Sequence, residues 1–173
     1  MELALKLDQP GRNGTLKAIE WTLRAPGEGE LRIRHDCVGG NFVDSYFRIG
    51  LYPLADPAIP GVEGVGTIEE IGPGVSGFSV GQKVPYRAQP GGFATSRLLP
   101  AWRALAMPDE ISVEVAAASM LRGMTAQMLL KQIYPVCETS LILVHASAGG
   151  LGGAPDTMGQ GTWCNGHWHR KHT

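Results

Sequence analysis

Two short stretches hold residue types whose spacing alone suggests chemistry. The first is "ASAGGLG", Ala146 to Gly152, which continues from the apolar run "LILVHA" of Leu141 to Ala146. Ala146, Ser147, Ala148, Gly149, Gly150, Leu151 and Gly152 thus place mostly small side chains directly after a predicted strand. Backbone N–H groups approach a pyrophosphate closely only where nothing larger than Gly or Ala intervenes, and the following helix N-terminus favours the negative charge. Alone, such a run is more often a structural turn; the strand before it strengthens the phosphate reading. The second stretch is "CNGHWHRKH", with Cys164, His167, His169 and His172 in close succession. Metal ligands must converge on one point and be held there by a folded scaffold and outer hydrogen bonds. No apolar periodicity surrounds these four, so they are read as an irregular tail binding metal only adventitiously, and no metal site is expected.

The elements that must position the turn follow from hydropathy patterning. Of 173 residues, 43% are hydrophobic, enough for one ordinary domain or one domain plus part of a second. Fifteen basic against sixteen acidic residues leave no electrostatic footprint for nucleic acid or an anionic membrane. No window reaches the ~20 apolar residues of a membrane span, and the N-terminus lacks the order of a signal peptide. Cys37, Cys137 and Cys164 are odd in number and widely spaced, which argues against a disulfide framework. The expected setting is soluble, reducing and cytoplasmic.

Residues 2–7, 17–23 and 30–38 largely alternate apolar and polar side chains, as half-buried strands do. Further strands are predicted at 65–72, 82–87 and 91–100, and half of the 24 glycines fall between Gly39 and Gly92. Short strands with such punctuation suggest a closed or nearly closed β-barrel. His35 reads as surface or strand filler. After Asp109 the pattern changes. Ser112 can cap a helix through residues 113–133, with Glu114 in its first turn. Its predicted apolar stripe is Val115, Ala118, Met120, Leu121, Met124, Met128 and Leu129, with Gly123 a point of breakage or close packing. Residues 141–146 then read as a central parallel strand.

Four segments together resemble the zinc-free quinone oxidoreductase branch of the medium-chain dehydrogenase/reductase superfamily. They are "NFVDSYFRIGLYP" (41–53), "IPGVEGVGTIEEIGPGVSGFSVGQKV" (59–84), "AAASMLRGMTAQMLL" (116–130) and "VHASAGGLG" (144–152). The resemblance implies a β-rich GroES-like barrel over residues 1–110, followed by the opening helix and first strand of an α/β Rossmann domain over 111–152. It also implies NADPH as cofactor, a quinone or related electrophilic carbonyl as substrate, and hydride transfer between them. Asn41, Tyr46 and Tyr52 are implied to line the quinone and nicotinamide pocket. Thr125 matches a threonine near the cofactor, although a helical threonine also bonds back to its own backbone. Arg48 is left open between a phosphate partner and a solvated cation. Glu63 resembles a family carboxylate of structural importance. Zinc-dependent members place a Cys and a His roughly where Asn41 and Val62 stand here, and neither residue supplies a thiolate or imidazole. Cys37 comes four residues too early.

Residues 153–173 are read as an irregular, out-of-frame tail. Reread one base later, the Met158–Gly159, Trp163–Cys164 and Trp168–His169 junctions are forced to Trp, Gly and Gly. The family's next helix and strand resemble "QWAKALGAxVIGT", with Trp and two Gly at that same spacing. From the Gly152 codon to the reread Trp run five codons (153–157) and one base, where the family has the five codons alone. Much of the nucleotide-binding domain, and the sheet through which family members pair, would then be missing. The alternative to an enzyme is a non-enzymatic GroES-like fragment. Sequencing the gene across these codons is expected to show one surplus base relative to related genes; a register identical to theirs would sink the frameshift.

Overall fold

A computed structural model describes residues 1–137, 139–146 and 149–151. Compactness divides the chain into one unit of residues Met1–Met120 and another of Leu121–Thr173. The first holds six strands: β1 (Leu3–Leu7), β2 (Leu16–Glu20), β3 (Glu30–Gly39), β4 (Glu63–Ile71), β5 (Lys83–Arg87) and β6 (Ser96–Pro100). They form a two-stranded sheet, β1-β2, and a four-stranded antiparallel sheet in the order β5-β4-β3-β6. The predicted barrel is therefore not one continuous ladder. An isolated bridge, Ala4 to Ala94, joins the sheets, with Leu5 N–H donating to Phe93 O at 2.8 Å and Thr95 N–H to Leu3 O at 2.8 Å.

Strand alternation builds the core. Leu31 and Ile33 of β3 are fully buried while Arg34 is exposed, and Ile68, Val84, Tyr86 and Leu99 complete the cluster. Each large apolar side chain so buried stabilises by roughly 1.5–3 kcal/mol. The same period carries His35 inward, correcting its reading as filler. Its Nδ1–H donates to Ala94 O at 2.7 Å, and its Nε2 accepts from the Tyr86 hydroxyl at 2.8 Å. Beside them lies Arg97, itself buried. Its guanidinium sits 4.8 Å from the Tyr86 ring centre and donates to the carbonyls of Gln89, Pro90 and Leu98.

The sequence expectation missed the helix α1 (Phe42–Ile49), which connects β3 to the Pro60 loop. The longer α2 (Val113–Gln127) begins as predicted, with Ser112 Oγ accepting from Val115 N–H at 3.3 Å. A hydrogen bond from its own backbone N–H, and then one from Ser112, hold the Glu114 carboxyl below its usual range. α2 runs through Gly123 without a break, and a Cβ there would meet nothing within 4 Å. Its pitch loosens instead to a π-turn over Met128–Ile133.

The predicted stripe is not the buried face of α2. Ala116 and Ala117 are buried against Val65, whereas Val115, Met124, Met128 and Leu129 are exposed. Small side chains allow a close backbone approach, so size rather than hydropathy selects the packed face. Among the described residues, 141–146 join no strand ladder: Leu141 and Leu143 are 87% and 72% exposed. A central parallel strand bonds along both edges, and no neighbouring strand of the second unit is described. The tail read as out of frame, with Cys164, His167, His169 and His172, lies outside the described residues.

Burial pushes the His35 pKa down from 6.5 to about 4. A depressed folded value means the neutral ring contributes stability that is present above pH 6.5 and lost as pH falls toward 4. Urea unfolding of the chain is expected to lose roughly 2 kcal/mol between neutral pH and pH 5 from this group. His35→Gln should flatten that slope; an unchanged slope in the variant would assign it elsewhere.

Candidate functional site

The three residues assigned to the pocket gather around α1 in the first unit. Asn41 is the N-cap, in extended conformation. Asp44 ties this start down twice. Its Oδ2 accepts from Asn41 N–H at 2.8 Å and its Oδ1 from Gly61 N–H at 3.0 Å. The helix entry and the Pro60–Val62 loop are thereby fixed to each other through one carboxylate. The Asn41 side chain donates from Nδ2 to Glu63 Oε1 at 2.7 Å, and Glu63 has no exposed surface.

α1 stops at Gly50, whose φ of 82° is the left-handed conformation that glycine accepts without strain. The chain then folds back, with the N–H groups of Leu51 and Tyr52 donating to Tyr46 O at 2.9 and 3.4 Å. This reversal brings the tyrosines together. Tyr46 and Tyr52 rings lie 5.5 Å apart at 82°, and Phe42 meets Tyr46 at 5.2 Å and 89°. Both are the edge-to-face geometry that aromatic quadrupoles favour. Phe42 is 75% and Tyr52 48% exposed, so the cluster presents aromatic faces and a phenol outward, beginning one residue after Asn41. Arg48 Nη1 donates to Arg12 O and Gly14 O at 3.3 and 3.4 Å.

Gly39 explains why this corner is so closely built. A Cβ there would meet the Ala117 carbonyl oxygen, and Glu63 Cγ and Oε1 at 2.6 Å. Only glycine lets β3 pass between α2 and the buried carboxylate. Asp44 and the Glu63 contact were invisible to motif reading. The signal available was Asn41 followed three residues later by Asp44, a capping pattern, with Gly50 as its stop.

In the second unit, the Thr125 hydroxyl donates to Leu121 O at 2.7 Å, the backbone-bonding alternative left open by the sequence. Ala146 has a φ of 52°, and Gly149 N–H donates to Ala146 O at 2.8 Å. Gly150 and Leu151 begin a helical turn; Ser147, Ala148 and Gly152 lie outside the described residues. A Cβ on Gly150 would meet Arg122 Nε and Cζ at 2.5 and 2.6 Å. The glycine therefore admits a guanidinium directly against the turn, a contact sequence reading did not find. The unit also contains an apolar cavity of about 660 Å³, lined by Leu130, Ile133, Val136, Ile142, Val144 and Leu151 among others. No helix among the described residues is long and apolar enough to cross a membrane.

Residues 27–109 match the alcohol dehydrogenase GroES-like domain. A quinone oxidoreductase of Pseudomonas aeruginosa is 43% identical over 131 residues, covering 73% of this chain and 40% of that protein. A 2-haloacrylate reductase of a Burkholderia species is 39% identical over 159 residues, covering 88% of this chain and 48% of that protein. The crystal structure of Escherichia coli quinone oxidoreductase complexed with NADPH superposes with a TM-score of 0.88 at 31% identity. That match covers 96% of this chain and 51% of the other. The chain spans about half the length of the relatives it matches.

Removing the Asp44 carboxylate should free both the α1 entry and Gly61. Asp44→Ala is expected to cost about 2 kcal/mol in chemical denaturation and to weaken the near-ultraviolet dichroism of the Tyr46–Tyr52 pair. Retention of both signals would show that α1 is held by its other contacts.

Proposed function

We infer from this kinship, with quinone oxidoreductases of the medium-chain dehydrogenase/reductase superfamily, that the chain carries residues for hydride transfer from NADPH to a quinone or related electrophilic carbonyl. The observation that carries the reading is the grouping of Asn41, Tyr46 and Tyr52 about one short helix, with the Asn41 amide fixed by a buried carboxylate. The residues present fit a dinucleotide. The Gly149–Gly150 turn is one that a Cβ would fill, and the Arg122 guanidinium against it suits a pyrophosphate. When bound, NADPH supplies the hydride.

What the chain supplies is orientation and polar stabilisation. Asn41 offers an amide to the nicotinamide. The hydroxyls of Tyr46 and Tyr52 are donors suited to an acceptor oxygen on which negative charge develops. The exposed Phe42 ring extends the apolar face against which a planar acceptor is held. Zinc has no part in this reading: at the two positions implied to bear ligands, Asn41 engages Glu63 and Val62 is a buried hydrocarbon. Thr125, Ala146, Ser147, Ala148, Gly149, Gly150, Leu151 and Gly152 are assigned to the cofactor on resemblance. We read residues 1–110 as the GroES-like domain, 111–152 as the start of the nucleotide-binding domain and 153–173 as an out-of-frame tail.

A second reading, a GroES-like fragment without turnover, is favoured by a specific observation. Leu141 and Leu143 are exposed and, among the described residues, 141–146 join no ladder, which leaves apolar surface that pairing within a sheet would bury. Titrating NADPH into the purified 173-residue chain while following quinone-dependent oxidation separates the two. On the enzyme reading, binding is weak and turnover falls at least about tenfold in Asn41→Ala. Absence of NADPH binding at millimolar concentration would leave the fragment.

A further inference from the structure

We propose that Glu63 is a positioning residue that decides which end of the Asn41 amide is turned toward a bound nicotinamide; this rests on the cofactor reading above. The two ends of an asparagine amide are nearly equal in size, and only hydrogen bonding distinguishes them. Glu63 Oε1 lies 2.7 Å from Asn41 Nδ2. A carboxylate oxygen accepts and does not donate, so the amino end must face Glu63 and Oδ1 is the end turned away from it.

Glu63 is held rigidly enough to impose this choice. It opens β4, where its backbone is paired with Gly39 on one side and Arg87 on the other. Its side chain is fully buried, and Gly39 leaves no room for a Cβ beside its Cγ and Oε1. Asn41 in turn is fixed at the backbone by Asp44. Both partners are therefore anchored at their main chains, and the single variable left between them is the direction of the amide. The carboxamide of nicotinamide and the hydroxyls of its ribose carry donor hydrogens, and an outward acceptor at Asn41 matches them. Glu63 thus sets the polarity of the contact without touching the cofactor.

Glu63→Gln keeps the side-chain shape but allows either amide direction, because glutamine both donates and accepts. In the ¹⁵N-labelled full chain, one Asn41 side-chain amide proton should be shifted downfield and protected from exchange. Glu63→Gln should abolish both features while the backbone resonances of α1 remain in place. Reduced nicotinamide mononucleotide, used as the probe, should bind the variant about tenfold more weakly than the parent. The double variant Glu63→Gln, Asn41→Asp reverses the pair: the introduced amide at position 63 donates to the introduced carboxylate at position 41, whose second oxygen again faces outward. It should recover most of the lost affinity. An Asn41 amide that is unshifted in the parent, or affinity unaffected by Glu63→Gln, would overturn the proposal. So would a loss of the α1 resonances in Glu63→Gln, since the residue would then be a structural support. A parent with a protected Asn41 amide that ignores the mononucleotide would overturn the cofactor reading, leaving the amide orientation supported by the resonance.

Discussion

The corner where Gly39, Asn41, Glu63 and Ala117 meet constrains everything built around it. A carboxylate without solvent must be hydrogen-bonded or it is costly to bury, by several kcal/mol for an unpaired charge. Asn41 satisfies one oxygen of Glu63, and glycine at 39 gives the carboxylate its room. The main chain leaving β3 is thereby set in one place and direction. From there α1 starts at Asn41, Asp44 fastens it to Gly61, and Gly50 folds Tyr52 back onto Tyr46. Removing any early member of that series would displace the later ones.

Beneath this corner lies a second polar arrangement, His35, Tyr86 and Arg97, against a core of Leu, Ile, Val and Ala. A buried guanidinium satisfied by carbonyls stabilises little by itself, since desolvation offsets the gain. Its effect is to fix geometry. Arg97 grips the carbonyls of Gln89 and Pro90, and the Tyr86 hydroxyl is directed to His35. Burial raises the pKa of that phenol; the Arg97 guanidinium opposes the rise and the carboxylates of Glu63 and Asp44 add to it. Such networks specify one arrangement of loops because any other leaves a buried group unpaired. The neutral imidazole follows from the same logic: with Nδ1–H given to Ala94, Nε2 must remain an acceptor for Tyr86.

β3 was legible because one of its faces is buried and the other is not. Leu31 and Ile33 against Arg32 and Arg34 is a pattern that only a half-buried strand explains. The same period already carried the information that His35 points inward; reading it as filler set residue type above register. α1 was missed for a different reason. "FVDSYFRI" is short and rich in Phe, Val, Tyr and Ile, types that favour strands, and its helix exists because Asn41, Asp44 and Gly50 bound it. Of the site residues drawn from resemblance, Asn41, Tyr46 and Tyr52 lie at α1, whereas Glu63 was recognised without its partner. Contacts across twenty-two positions of sequence, such as Asn41 to Glu63, have no local signature.

α2 and the stretch after it mark the limit of periodicity as a guide. Hydropathy ranked Val115 and the methionines above Ala116 and Ala117, yet the alanines are the packed residues. The free energy of burying one large side chain is smaller than the cost of separating a helix from a glycine-lined strand by the width of that side chain, because the whole interface would lose its dispersion contacts. "LILVHA" fails in the opposite sense. Its composition suits a central strand, but a parallel strand draws its hydrogen bonds from segments distant in sequence, and composition supplies none of them. The turn that follows is less demanding: Ala146 and Gly149 close it by their own hydrogen bond, and Gly150 needs only Arg122 beside it. A contact made between near neighbours thus needs nothing from afar, whereas among the described residues 141–146 join no ladder.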